Sequence, residues 1–191
     1  MSKVKLYLVV LGGRFRNCNV ELHDVRWVAS ETIEAAIPEL KSQWFGNQKG
    51  LHIDSYMNLE YVDGYKIVLK EASKLKPINK SSISCKNESL KKLWFVNLGG
   101  YKSDQLAEAH EFGMVVANSS KEAIKKAKVN WLPKYEKRHK DDLKIIETSY
   151  VADDNCRIES IGEWSVALQP DPLQRSQSYI PEWFGYWRLD K

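Results

Sequence analysis

The chain has 191 residues, 43% of them hydrophobic; the length fits one large domain or two small ones, and the composition excludes disorder. Its 29 basic and 25 acidic side chains leave a net charge of +4 and a pI near 8.8, too mild and too interleaved to suggest a nucleic-acid binder. Cys18, Cys85 and Cys156 form no Cys-x-x-Cys pair and are odd in number, which argues against a secreted disulfide framework.

No stretch reaches the ~20 apolar residues of a membrane helix, and no apolar leader opens the chain, so a cytoplasmic protein without membrane contact is expected. The run Lys5-Leu6-Tyr7-Leu8-Val9-Val10-Leu11 is short and almost continuously apolar. That pattern predicts a strand covered on both faces, closed by Gly12-Gly13 as a turn or bulge. Residues 20–29 are rich in β-branched and apolar side chains and predict one strand or two. Ile33, Ala36, Ile37, Leu40 and Trp44 recur at spacings of three and four, one face of a helix. Pro38 falls inside it and predicts either a kink or a later start. Residues 56–62 and 65–69 predict a hairpin around Asp63-Gly64.

From Lys92 the pattern begins again. At a constant offset of 87, 16 of 56 positions are identical between residues 5–60 and 92–147. Glu21 falls on Glu108, His23 on His110, Asp24 on Glu111, His52 on His139 and Asp54 on Asp141, so all four histidines form two matched pairs. Ala123, Ile124, Ala127 and Trp131 repeat the helical face, and Ser119-Ser120-Lys121-Glu122 is a capping box at its start. After Glu60 the register changes, and residues 160–168 match residues 61–69.

The expected fold is α+β: two homologous β-β-α-β-β modules, each one helix on a mainly antiparallel sheet, packed about a pseudo-two-fold axis. Module 1 spans residues 1–71 and module 2 residues 92–169, with a Lys-, Ser- and Asn-rich linker at 72–91. Residues 170–191 form a Pro-rich, then aromatic tail. One module alone is marginal in size, so pairing is expected to bury a second face.

Few polar residues recur in both modules. If residues 20–23 are extended, Glu21 and His23 share a side, and so do His52 and Asp54. Brought together, these residues suit an acid/base cluster, with Glu21, His23, His52 and Asp54 as catalytic candidates. They also suit a nitrogen/oxygen shell for a divalent metal such as Zn, Mn, Fe or Ni, drawing on Glu21, His23, Asp24, His52, Asp54, His110 and His139. The plainer reading is that each pair is a clamp tying a strand to a loop. A phosphate loop at Gly12-Gly13, with Arg14 and Arg16, fails for want of a following helix. Cys18 as a nucleophile has Gln105 as its counterpart, and a buried thiol is the simpler account.

Leu11-Gly12-Gly13-Arg14, Glu21-Leu22-His23-Asp24-Val25-Arg26, Trp44-Phe45-Gly46, His52-Ile53-Asp54-Ser55-Tyr56 and Val62-Asp63-Gly64-Tyr65 together resemble a bacterial family known as domain of unknown function 1543. The resemblance implies one or two copies of such a module in a bacterial, intracellular protein, and brings no activity with it. Module 2 departs from the pattern at Ala109-His110-Glu111 and Lys140-Asp141-Asp142-Leu143.

With no specific catalytic motif, the expected function is a non-catalytic binding or interaction module. A protein partner or a second copy is expected at the aromatic tail, which equally suits a lid folded back on the core. The alternative is a metal-dependent or acid/base small-molecule enzyme using the repeated Glu-x-His-Asp and His-x-Asp residues.

Overall fold

The computed structural model describes residues 3–72, 91–131, 137–138 and 157–191. Module 1 contributes β1 (Lys5–Gly13), β2 (Leu22–Ser30), α1 (Ile33–Gln43), β3 (His52–Asn58), β4 (Tyr61–Val62) and β5 (Tyr65–Glu71). Module 2 contributes β6 (Lys92–Tyr101), β7 (Ala109–Ala117), α2 (Ser120–Trp131), β8 (Lys137–Arg138), β9 (Arg157–Ile158), β10 (Ser160–Ile161) and β11 (Trp164–Pro170). The chain ends in β12 (Trp183–Arg188). The fold is mixed α+β with antiparallel sheets.

β1 lies between β2 and β3 and is antiparallel to both. Its alternation explains its near-continuous hydrophobicity. Tyr7, Val9 and Leu11 turn to α1 and pack with Ile33, Ala36, Leu40 and Trp44. Leu6 and Leu8 turn the other way, into a cluster shared with Leu93 and Phe95 of β6. In β6 the neighbouring positions Trp94, Val96 and Leu98 lie with Ala123 and Ala127 of α2. The layers therefore run helix, sheet, sheet, helix, and both sheets are covered on two faces.

Thr32 caps α1 by accepting a hydrogen bond from Ala35 N at 3.2 Å. The helix continues through Pro38 to Gln43, so it does not start late; the proline removes one backbone donor. At α2, Ser119 Oγ accepts from Glu122 N, and the Glu122 carboxylate accepts from Asn118 N at 3.0 Å. The expected capping box forms, with its return bond one residue earlier than the usual position.

Residues 56–62 do not form one strand. Residues through Asn58 pair with β1, and only Tyr61–Val62 pair with β5, across a turn in which Asp63 (φ 50°) and Gly64 (φ 79°) both have positive φ. Leu59 N donates to Leu6 O, and Leu59 is itself buried in the central cluster, which turns the chain out of the first sheet. The hairpins of the two modules then meet in one sheet of order β10-β11-β5-β4. β5 pairs antiparallel with β11, with Val68 opposite Ala167.

Residues 170–191 are built into module 1. β12 pairs antiparallel with β3 as the outer strand of a sheet ordered β12-β3-β1-β2. Before it, Gln177 Oε1 accepts from Glu60 N and Tyr61 N, and Gln177 Nε2 donates to Asn58 O. The Tyr179 hydroxyl bonds both the N–H and the carbonyl of Met114 on β7. Buried Asp171 pairs with Arg175, whose guanidinium lies 3.9 Å over the Tyr61 ring. The tail thus straps both modules. Among the described residues no helix is long and apolar enough to cross a membrane.

Candidate functional site

Gly12 and Gly13 do not form a turn. Both are paired residues inside β1, neither at positive φ, and each makes room for a side chain. A Cβ on Gly13 would lie 2.8 Å from the Trp44 ring. Gly12 has His23 opposite it on β2 and His52 opposite it on β3. A Cβ there would collide with Nε2 of His52 and lie 2.9 Å from Asp54 Oδ2.

The register of β1 against β3 shifts by one residue between Val10 and Leu11, so β3 carries a bulge at Asp54. The carboxylate of Asp54 lies over the space that Gly12 leaves open. Its Oδ1 is 3.1 Å from His52 Nε2, and its Oδ2 is 3.3 Å from His23 Nε2. The second contact is within ion-pair range but misaligned for a hydrogen bond, so Oδ2 is buried without a hydrogen-bond partner. His52 is 1% exposed, and its Nδ1 lies 2.8 Å from Gly50 O and 3.8 Å from Glu21 Oε1. Both of its nitrogens therefore face protein oxygens. The side chain of His23 is 53% exposed.

The fold thus brings together Glu21, His23, His52 and Asp54. Asp24 is excluded by the period of two. It pairs with Arg26 at 2.6 Å and accepts from Val25 N, and Arg26 in turn reaches Gln43 O at the end of α1. His110 sits in module 2, with Nδ1 3.2 Å from Asn97 Nδ2 and Nε2 3.8 Å from Glu108 Oε2. His139 lies outside the described residues, as do Cys85 and Cys156. Among the described residues no three His, Cys, Asp or Glu side chains are grouped to hold a metal ion. Nε2 of each ring lies near the carboxylate between them. Cys18 is half-buried, with its Sγ accepting from Phe15 N.

Residues of the tail complete the site. The Tyr186 ring covers His52 at 4.0 Å between centroids. Leu189 N donates to Leu51 O, and Asp190 Oδ2 accepts from Gly50 N, so the tail fixes the segment that presents His52. Arg188 and then the Gly50 N–H hold the Asp190 carboxyl well below the usual carboxylate range. Nothing in the local pattern around Tyr186 or Asp190 marks this role; the aromatic density of the tail was the one available signal. A cleft of about 220 Å³ opens between the modules, with Val10, Ser55, His110 and Phe112 in its lining and none of the four converging residues.

The geometry defines a duplicated α+β protein with a histidine–aspartate–histidine row in its first copy. The chain belongs to the family of the domain of unknown function DUF1543, whose model matches residues 18–69 and again residues 105–160, two tandem copies. The crystal structure of protein Il1583 from Idiomarina loihiensis is similar over 97% of this chain and 97% of its own, with 29% identity and a TM-score of 0.65. No curated protein matches the chain.

Proposed function

We propose that this is a small-molecule acid/base protein whose working group is His23, in ion-pair range of Asp54, with His52 on the far side of that carboxylate. The carboxylate set between the two rings carries this reading. A carboxylate beside one imidazole nitrogen favours the proton there and leaves the lone pair on the other. His23 turns Nε2 to Asp54, and among the described residues no protein group pairs with its Nδ1. That nitrogen, on a half-exposed ring, is the base. His52, with both nitrogens engaged, holds the carboxylate and does not react.

The competing account makes the row a clamp between β2 and β3. His110 discriminates between them, because it is equally exposed (51%) while the Glu108 carboxylate stands farther off, at 3.8 Å against 3.3 Å for Asp54 and His23. General base catalysis contributes about 10²–10⁴-fold in rate. Hydrolysis of p-nitrophenyl acetate is expected to fall at least tenfold in His23→Gln and in Asp54→Asn, and to hold in His110→Gln. Equal small losses in His23→Gln and His110→Gln would show two ordinary surface imidazoles and end the reading.

The arrangement of the modules belongs to the same proposal: two β-β-α-β-β copies about a pseudo-two-fold axis. Val68 and Ala167 are counterparts in the repeat and also face one another in the β5–β11 pairing. Such a register is what a local two-fold axis between them would produce. The sorting of counterparts supports it, since Leu6 and Leu93 share the central cluster while Tyr7 and Trp94 each lie under a helix.

A further inference from the structure

On the face of β1 turned to module 2, the side chains shrink along the strand, from Leu6 and Leu8 to Val10 and then Gly12. Leu6 and Leu8 are buried in the central cluster. At Val10 the filling falls short. Its neighbour across the β1–β3 pairing is Ser55, another small side chain. Packed sheets stand ~10 Å apart, so short side chains at one place leave a slot. The cleft between the modules is that slot, with Phe112 of β7 and Pro181 of the tail adding apolar wall. The Tyr179 hydroxyl in its lining is taken up by Met114, and the His110 ring by Asn97. Among the described residues no group bonds the Ser55 hydroxyl. Neither lysine nor arginine is in the lining among the described residues, and Glu111 is, so an anion meets no fixed counter-charge there. Phe184 stands opposite Ser55 on β12 and is 78% exposed, so the apolar floor continues past Ser55.

We propose that this cleft binds a neutral small molecule built on one planar ring and carrying one hydroxyl or amino group, which bonds Ser55. Volume sets the size. A void of about 150 Å³ holds a benzene ring, and drug-sized ligands occupy about 300–1,000 Å³. At about 220 Å³ the cleft takes one ring with a small substituent. Shape sets the skeleton, because a slot between two sheets admits a flat ring more readily than a branched one. Polarity sets the substituent. One free hydroxyl among apolar walls rewards one hydrogen-bonding group, and any further polar group would be desolvated without a partner. None of Glu21, His23, His52 and Asp54 lines the cleft, so the proposal goes beyond the acid/base reading and does not rest on it.

Saturation-transfer NMR of the full chain with para-cresol, one ring with one hydroxyl, tests this. Saturable binding is expected, with a Kd of about 10 μM to 1 mM. Ser55→Ala removes the hydroxyl alone and should weaken binding about 3–10-fold. Val10→Phe fills the slot and should abolish binding while the far-UV spectrum stays as in the parent. Para-toluate, the same ring with a negative charge, should bind at least about tenfold more weakly than para-cresol. His23→Gln should bind para-cresol as the parent does, which separates this result from the fate of the acid/base reading. No saturable binding up to about 5 mM would overturn the proposal. So would binding that Ser55→Ala leaves unchanged, or para-toluate bound as tightly as para-cresol. Binding that survives Val10→Phe would put the ring on the exposed aromatics of β12, and binding lost in His23→Gln would put it at the row; either result sinks the cleft.

Discussion

Replacing Gly12 with alanine tests the packing of the row directly. The added methyl would strike His52 Nε2 and lie 2.8 Å from His52 Cε1 and 2.9 Å from Asp54 Oδ2. Contacts this short require movement, and His52 has nowhere to go. It is 1% exposed, held at Nδ1 by Gly50 O and covered by Tyr186. Overpacking costs about 1–3 kcal/mol, and a rigid neighbour places this case near the top, about 3 kcal/mol. In a chain of this size that lowers the thermal midpoint by about 6–12 °C. Gly99, the counterpart, meets only the end of the Glu108 side chain, which can swing aside. Gly99→Ala should therefore cost less than about 1 kcal/mol, partly offset by the lower entropy of the unfolded chain. Urea denaturation followed by tryptophan fluorescence measures both. The decisive arm is a double-mutant cycle: in a His52→Ala background the methyl finds space, and Gly12→Ala should become nearly neutral. Equal costs at the two glycines, or a Gly12→Ala cost unchanged without the His52 ring, would refute the account.

His52→Ala should itself cost about 2–4 kcal/mol, since it empties a buried site and strands the Gly50 carbonyl, whereas half-exposed His23→Gln should stay within about 0.5 kcal/mol in the same denaturation assay. Burial, chiefly, pushes the Tyr179 hydroxyl up, with Asp63 adding to it against the Met114 bond. Its contribution is therefore present below the ordinary tyrosine value of about 10 and lost as pH rises above it. Tyr179→Phe should cost about 1–2 kcal/mol at neutral pH and flatten the alkaline fall in stability. Arg175 holds the Asp171 carboxyl well below its ordinary value. That stability is present above about pH 4 and lost as pH falls below it, so acid titrations of Asp171→Asn should show a shallower loss than the parent. Deleting residues after Pro172 removes β12 and the strap; loss of the cooperative transition is expected, and a folded, soluble remainder would contradict the role given to the tail.

The duplication, the two helices and the strand-forming runs were legible because each leaves a period in the sequence. Tyr7, Val9 and Leu11 alternate with Leu6 and Leu8, and Ile33, Ala36 and Leu40 recur at helical spacing. The convergence of Glu21, His23, His52 and Asp54 was legible for the same reason: strand parity set the members, and β1 lies between the strands that carry them. Three things were not. Gly12-Gly13 looked like a turn because glycine marks both turns and close approaches, and only the neighbours decide which. The bulge at Asp54 has no composition of its own. The place of β12 depends on a strand 130 residues earlier in the chain, with Trp183 opposite Tyr56 and Trp187 opposite Ile53. No local pattern encodes such a pairing.

The last strand made completes the first sheet made, and this sets the timetable of folding during synthesis. β3 leaves the ribosome with one edge bare, and β5 likewise waits for β11. Neither can be satisfied until nearly the whole chain has emerged, so the contacts that close the molecule are among its longest in sequence and its slowest to form. Until then the nascent chain offers unpaired strand edges to chaperones and to its neighbours on the same message. A product terminated a dozen residues early would keep bare the β3 edge that β12 normally covers, and would be marked for removal by the same exposure.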